Sequence, residues 1–125
     1  MATPRVAVAG QKILVVSRDA KECRLWAHRN SFERAGYRLS QARSLGDAVC
    51  AAVNSRPNLI VLEQSFSERE QAAFVDCLHE SHPCIHVLCL GSGDISTGDL
   101  LSECRAILTG QPGGEKVHTL KPAKA

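Results

Sequence analysis

Three short apolar runs constrain this chain most: Ile13-Leu14-Val15-Val16, Leu59-Ile60-Val61-Leu62, and residues 84–90, which are interrupted only by His86. Runs of this length, rich in Val, Ile and Leu and bounded by polar or turn residues, read as buried strands. The segments between them repeat apolar residues at helical spacing, so strands alternate with helices. That order implies parallel strands, right-handed crossovers and helices on both faces. The expected fold is an α/β doubly wound parallel sheet.

Local signals divide the chain further. A strand over 12–17 leads to a helix from about 20 to 35, with Asp19 as its N-cap and Leu25, His28, Phe32 and Ala35 on one face. Gly36 ends it, because glycine enters the left-handed conformation without steric cost. Residues 37–42 alternate apolar and polar and read as a second strand near an edge. Ser44 and Asp47 resemble a capping box for a helix with the stripe Leu45, Ala48, Val49, Ala52 and Val53, stopped by Arg56-Pro57. After a third strand at 59–62, Ser67 and Glu70 form a better capping box, and Ala73, Phe74, Cys77 and Leu78 supply that helix's buried face.

Pro83 precedes the fourth strand, 84–90, and Ser96 or Thr97 caps a helix carrying Leu100, Leu101, Cys104, Ile107 and Leu108. Beyond it, Gln111-Pro112-Gly113-Gly114 reads as a turn or linker, and residues 116–120 as a candidate fifth strand. No helix fits after Pro122. Either the last helix of the pattern is missing, or the 96–109 helix takes its place and the tail is disordered.

At 125 residues and 44% hydrophobic, the chain has the size of one domain with a single core. No apolar run approaches the ~20 residues of a membrane span, and Val6-Ala7-Val8-Ala9 is too brief for a signal peptide. A cytoplasmic protein with no membrane association is expected. A net charge of +2 with interspersed signs, and only 4% aromatic residues, do not indicate nucleic-acid binding. The six cysteines, Cys23, Cys50, Cys77, Cys84, Cys89 and Cys104, contain no CxxC pair and read as small buried hydrophobes in a reducing compartment.

The strands at 12–17 and 59–62 both break into polar residues, Ser17-Arg18-Asp19 and Glu63, at their C-terminal ends. In an open α/β sheet that edge is where sites are built. Lys12 to Val16 with its polar ending, Phe32-Glu33-Arg34-Ala35-Gly36-Tyr37, and Pro57-Asn58 followed by Leu59 to Glu63 resemble the receiver domain of bacterial two-component response regulators, over roughly residues 11–91. The resemblance implies a flavodoxin-like, receiver-like fold with an atypical or incomplete C-terminal end. Residues 11–110 would form the domain, and 111–125 a candidate fifth strand and tail.

In that family an aspartate closing the third strand accepts a phosphoryl group, two acids after the first strand hold Mg²⁺, a Ser or Thr closes the fourth strand, and a Lys closes the fifth. A carboxylate attacks a phosphoryl group only when cations offset the repulsion between anions, so the set is needed together. Here Glu63 matches the phosphoacceptor, Ser17 and Arg18 match the acidic pair, Cys89 the hydroxyl, and Lys121-Pro122 resembles the Lys-Pro. Asp19 is a candidate stand-in for a missing acid, beside its N-cap role. Losing the acidic pair removes oxygen ligands for Mg²⁺, and Arg18 adds a competing charge.

The resemblance therefore implies a degenerate, pseudo-receiver-like module. It would be non-catalytic, without a cofactor and unphosphorylated, with Mg²⁺ only if the site functions. Its implied partners are proteins such as a histidine kinase or another regulator, with a homodimer through the last helix and strand. Glu63 has three readings: a phosphoryl mimic with its charge pushed outward, a structural ion pair with Arg18 or Lys121, or a polar strand end facing solvent. The alternatives for the whole chain are a phosphoryl-accepting regulator with an altered site and a thiol-based redox or metal sensor.

His79, His82, Cys84, His86 and Cys89 crowd one region and invite a zinc reading. On a strand, Cys84 and His86 share one face and Cys89 the other, and His79 and His82 fall at a helix end, so convergence is not expected. Cys89 at a strand mouth is a candidate reactive thiol if a cation lowers its pKa. His28 reads as a boundary histidine, Gly91-Ser92-Gly93 as a loop without P-loop chemistry, and Trp26 as a candidate partner contact.

Overall fold

The computed structural model describes residues 11–18, 24–63, 66–91, 95–109 and 116–120. Its elements run β1 (Lys12–Val16), α1 (Arg24–Ala27), α2 (Arg29–Arg34), β2 (Arg38–Ala42), α3 (Leu45–Ser55), β3 (Leu59–Leu62), α4 (Glu68–Ser81), β4 (His86–Leu90), α5 (Thr97–Leu108) and β5 (Val117–Leu120). The five strands form one sheet in the order β2-β1-β3-β4-β5, every pair parallel. The fifth strand forms, and β2 lies at an edge as its alternating sequence suggested. Asp19 and Lys121, with the Ser92-Gly93 loop and Cys23, lie outside the described residues.

The unbroken apolar runs are explained by burial on both faces. Ile13, Val15, Leu59, Val61, Leu88 and Leu90 point to one layer with Leu25, Phe32, Leu100, Cys104 and Ile107 from α1, α2 and α5. Leu14, Val16, Ile60, Leu62, Val87 and Cys89 point to the other with Ala48, Ala52, Phe74 and Leu78 from α3 and α4. Every side chain of β3 is fully buried.

One expectation about the crossovers fails. β3 to β4 and β4 to β5 step towards the same edge of the sheet, yet α4 crosses on one face and α5 on the other. The two units are therefore of opposite hand, and they cannot both be right-handed, against the strong general preference. The physical gain is coverage: α5 shields Leu88 and Leu90 on the face that α1 and α2 share. The cost is on the opposite face, where register places Val117 beside Val87 and Thr119 beside Cys89, both β5 residues exposed.

The first helix divides in two. His28 leaves helical geometry (φ −107°, ψ 21°), and its amide reaches the third carbonyl back, Leu25 O, at 3.0 Å. Its Nδ1 shares a hydrogen bond of 2.8 Å with Thr97 Oγ1, tying this break to the start of α5. Gly36 then takes φ 103°, the left-handed role read from the sequence.

The helix starts follow their caps. Ser44, Ser67 and Ser96 each accept a hydrogen bond from the amide three residues on, at 3.0 to 3.1 Å. The reciprocal box closes at Ser67, where the Glu70 carboxylate accepts the Ser67 N–H at 2.9 Å. At Ser44 only the Ser half is seen, in keeping with the shorter reach of Asp47.

The buried stripes are narrower than their apolar spacing suggested. Val53 is 56% exposed, because Ala48 and Ala52 centre the α3 stripe and place Val53 well round the helix. On α4, Phe74 and Leu78 are buried while Ala73 and Cys77 are exposed; the helix leans towards its Val75 flank. Cys50 and Cys84 are exposed as well, so of the described cysteines only Cys89 and Cys104 are core residues. Cys84 precedes β4, in a turn.

Phe32→Ala should cost about 3–5 kcal/mol in urea unfolding, the usual range for emptying a fully buried aromatic site. Val53→Lys should change stability by less than about 0.5 kcal/mol, as expected at an open surface position.

Candidate functional site

The C-terminal edge of the sheet brings together the polar ends anticipated from the sequence. Backbone hydrogen bonds extend the ladder past the strands: Ser17 N to Ala42 O at 3.1 Å, Glu63 N to Val16 O at 3.0 Å and Gly91 N to Leu120 O at 2.8 Å. Ser17, Glu63 and Gly91 thus stand in one row above β1, β3 and β4. Ser17 and Glu63 are both buried.

Glu63 does not face solvent and does not push charge outward. Only 2% of it is exposed. Its Oε2 accepts the backbone N–H of Leu25, in α1, at 3.3 Å. An unpartnered buried carboxylate would be costly. The Leu25 amide supplies a partner.

Arg18 is engaged with α4. Its guanidinium pairs with the Glu70 carboxylate and lies over the Phe66 ring, 4.9 Å from the centroid. Of the two cations considered as ion-pair partners for Glu63, Arg18 pairs with Glu70 instead, and Lys121 lies outside the described residues. The Ser67 amide foremost holds the Glu70 carboxyl below its ordinary pKa; desolvation, next in size, opposes it, and the Arg18 charge adds to the lowering. Glu70 and Phe66 were not singled out as site residues, because Ser67-x-x-Glu70 reads as a helix cap. The same carboxylate performs both tasks.

Cys89 falls one residue short of the mouth. It pairs in register with Leu62 and Thr119, while Leu90 closes β4. It packs in the layer of Val16, Leu62 and Phe66, and burial pushes its thiol pKa up. Cys104 is pushed up to about 12 by burial and by Glu103. Neither buried thiol has the depressed pKa of a reactive cysteine.

The histidine and cysteine cluster disperses. No group of three His, Cys, Asp or Glu that could hold a metal ion occurs among the described residues. His79 is partly buried rather than fully exposed, its Nε2 2.9 Å from Ile85 O, and His82 caps α4. His86 Nδ1 lies 3.1 Å from His118 Nε2, with ring centroids 5.2 Å apart, joining β4 to β5 on the α5 face. Trp26 packs against the core with the Arg29 guanidinium over its ring.

Glu63→Ala should cost about 1–3 kcal/mol of stability by stranding the Leu25 amide, and Glu63→Gln distinctly less, because an acceptor oxygen remains. Paired urea melts test this. For His86, burial foremost, then Lys116, His118 and His79, lower the pKa from its ordinary 6.5. A lowered histidine pKa means the unfolded chain takes up the proton first. Its contribution to stability is therefore intact above pH 6.5 and declines as the pH falls from there through the folded value. Melts at successive pH values should show this decline, and His86→Gln should flatten it.

No protein-family model matches the chain, and no curated protein does. Solved structures do match. The chemotaxis protein CheY4 of Vibrio cholerae aligns at 18% identity and a TM-score of 0.60, over 94% of this chain and 90% of that one. A receiver domain protein from Clostridium thermocellum aligns at 15% identity and 0.59, over 92% and 84%. A CheY-like receiver domain protein from Methanospirillum hungatei aligns at 18% and 0.58, over 89% and 82%. The five-stranded parallel sheet in the order β2-β1-β3-β4-β5 matches these structures in shape, and the chain has the fold of a CheY-like response-regulator receiver domain.

Proposed function

We propose that this protein is a receiver-like regulatory module that acts through protein contacts and does not accept a phosphoryl group. The observation that carries the reading is the placement of Glu63. Phosphoryl transfer to a carboxylate needs an accessible oxygen and cations beside it. Glu63 is buried with its carboxylate on the Leu25 amide, and the neighbouring positions are Ser17 and Arg18, the latter drawn to Glu70. Ser17 and Arg18 supply no carboxylate ligand for Mg²⁺.

Such a module signals through its surface. The resemblance to receivers supports a histidine kinase or another regulator as partner. The bare face of β5, with Val117 and Thr119 exposed, is consistent with a contact between copies. Exposed Cys50, Cys77 and Cys84 fit a reducing cytoplasm. No helix among the described residues is long and apolar enough to cross a membrane.

Incubation with acetyl phosphate and Mg²⁺, followed by intact-mass measurement, should leave the protein unmodified. Stoichiometric phosphate on Glu63 would replace this reading with that of a phosphoryl-accepting regulator with an altered site.

A further inference from the structure

β5 pairs with β4 alone, and none of its four side chains is buried. Backbone bonds hold its two ends: the Val87 N–H donates to Lys116 O at 2.7 Å and the Gly91 N–H to Leu120 O at 2.8 Å. Leu120 packs beside the layer of Leu88 and Leu90. Among the described residues, one side-chain hydrogen bond ties β5 to the rest of the molecule, the 3.1 Å contact between His86 Nδ1 and His118 Nε2.

That contact depends on charge. A ring nitrogen accepts a hydrogen bond only in a neutral imidazole, and both nitrogens donate in the cation. The His86–His118 bond therefore requires at least one neutral ring, whichever tautomers share it. When both rings carry charge, two donors face each other across centroids 5.2 Å apart, and like charges repel.

The surroundings do not compensate a second proton. Burial first, then Lys116, His118 and His79, disfavour the charged form of His86. On the β3 side its neighbour is Leu59, and Arg56 and His82, from the ends of α3 and α4, line the same groove. α5, which covers this layer, carries Asp99, Glu103 and Arg105; Asp99 and Arg105 are exposed and Glu103 is half-buried. Among the described residues no carboxylate forms an ion pair with either histidine.

We propose that His86 and His118 form a pH-sensitive latch, which holds β5 on β4 while either ring is neutral and lets β5 open from the sheet, with the rest of the fold intact, when both are protonated. Histidine is the side chain whose charge ordinarily changes between about pH 5 and 8, and a weakly buried edge element can open without global unfolding. Opening frees the Val87 and Gly91 amides and makes β4 the edge of the sheet.

The test is amide hydrogen exchange on the full chain, ¹⁵N-labelled, at about pH 7.5 and about pH 5, expressed as protection factors so that the intrinsic pH dependence of exchange cancels. Val87 and Gly91, whose N–H groups end on β5, should lose about tenfold more protection on acidification than Asn58 and Glu63, whose N–H groups end on β1. Ring ¹⁵N shifts of the unmodified chain should show the two histidines titrating in coupled steps, with protection lost at the later one. Both measurements stand without a variant. In the double variant His86→Gln/His118→Gln, which has no titratable ring at the contact, the difference between the two pairs of amides should vanish. Equal losses at all four amides, independent titration of the two rings, or a difference that survives in the double variant would overturn the proposal. None of these outcomes depends on whether Glu63 can be phosphorylated.

Discussion

The burial of β1, β3 and β4 on both faces governs the rest of this molecule. A strand such as Leu59–Leu62, with no exposed side chain, can exist only between two covered layers. Parallel pairing with helical crossovers is the arrangement that supplies those layers. The helices are thus placed by the need of the sheet, and their own stripes are modest: α3 buries little more than Ala48 and Ala52.

Coverage explains the departure from the usual hand. Leu88 and Leu90 share a face with Leu25 and Phe32, and α5 lies over that face with Leu100, Cys104 and Ile107. The thread from His28 to Thr97 joins the break in the first helix to the start of α5, so the two irregularities support each other. What remains uncovered is the other face of β5, the most exposed part of the sheet.

At the C-terminal edge, two carboxylates are held in different ways. Glu63 uses a backbone amide and Glu70 uses Arg18 together with the Ser67 amide. The Glu63 carboxylate thereby links the end of β3 to α1. The capping signals, the Gly36 turn and the β3 boundaries were legible because each depends on neighbours within a few residues. The Arg18–Glu70 pair, 52 residues apart, was not, since it depends on which helix start faces which strand end. Cys77 and Val53 were misplaced for a related reason. An apolar stripe has two flanks, and only the packing angle against the sheet selects one.

The sequence by itself determined the alternation of strands and helices, the parallel sheet and the row of polar residues at its C-terminal edge. These follow from periodicity, apolar run length and caps, which act over a few residues. Only the tertiary structure decided the face taken by α5, the inward turn of Glu63 and the partner of Arg18. Those depend on contacts between segments distant in the chain, where several arrangements satisfy the same local preferences and the burial of the whole sheet selects among them.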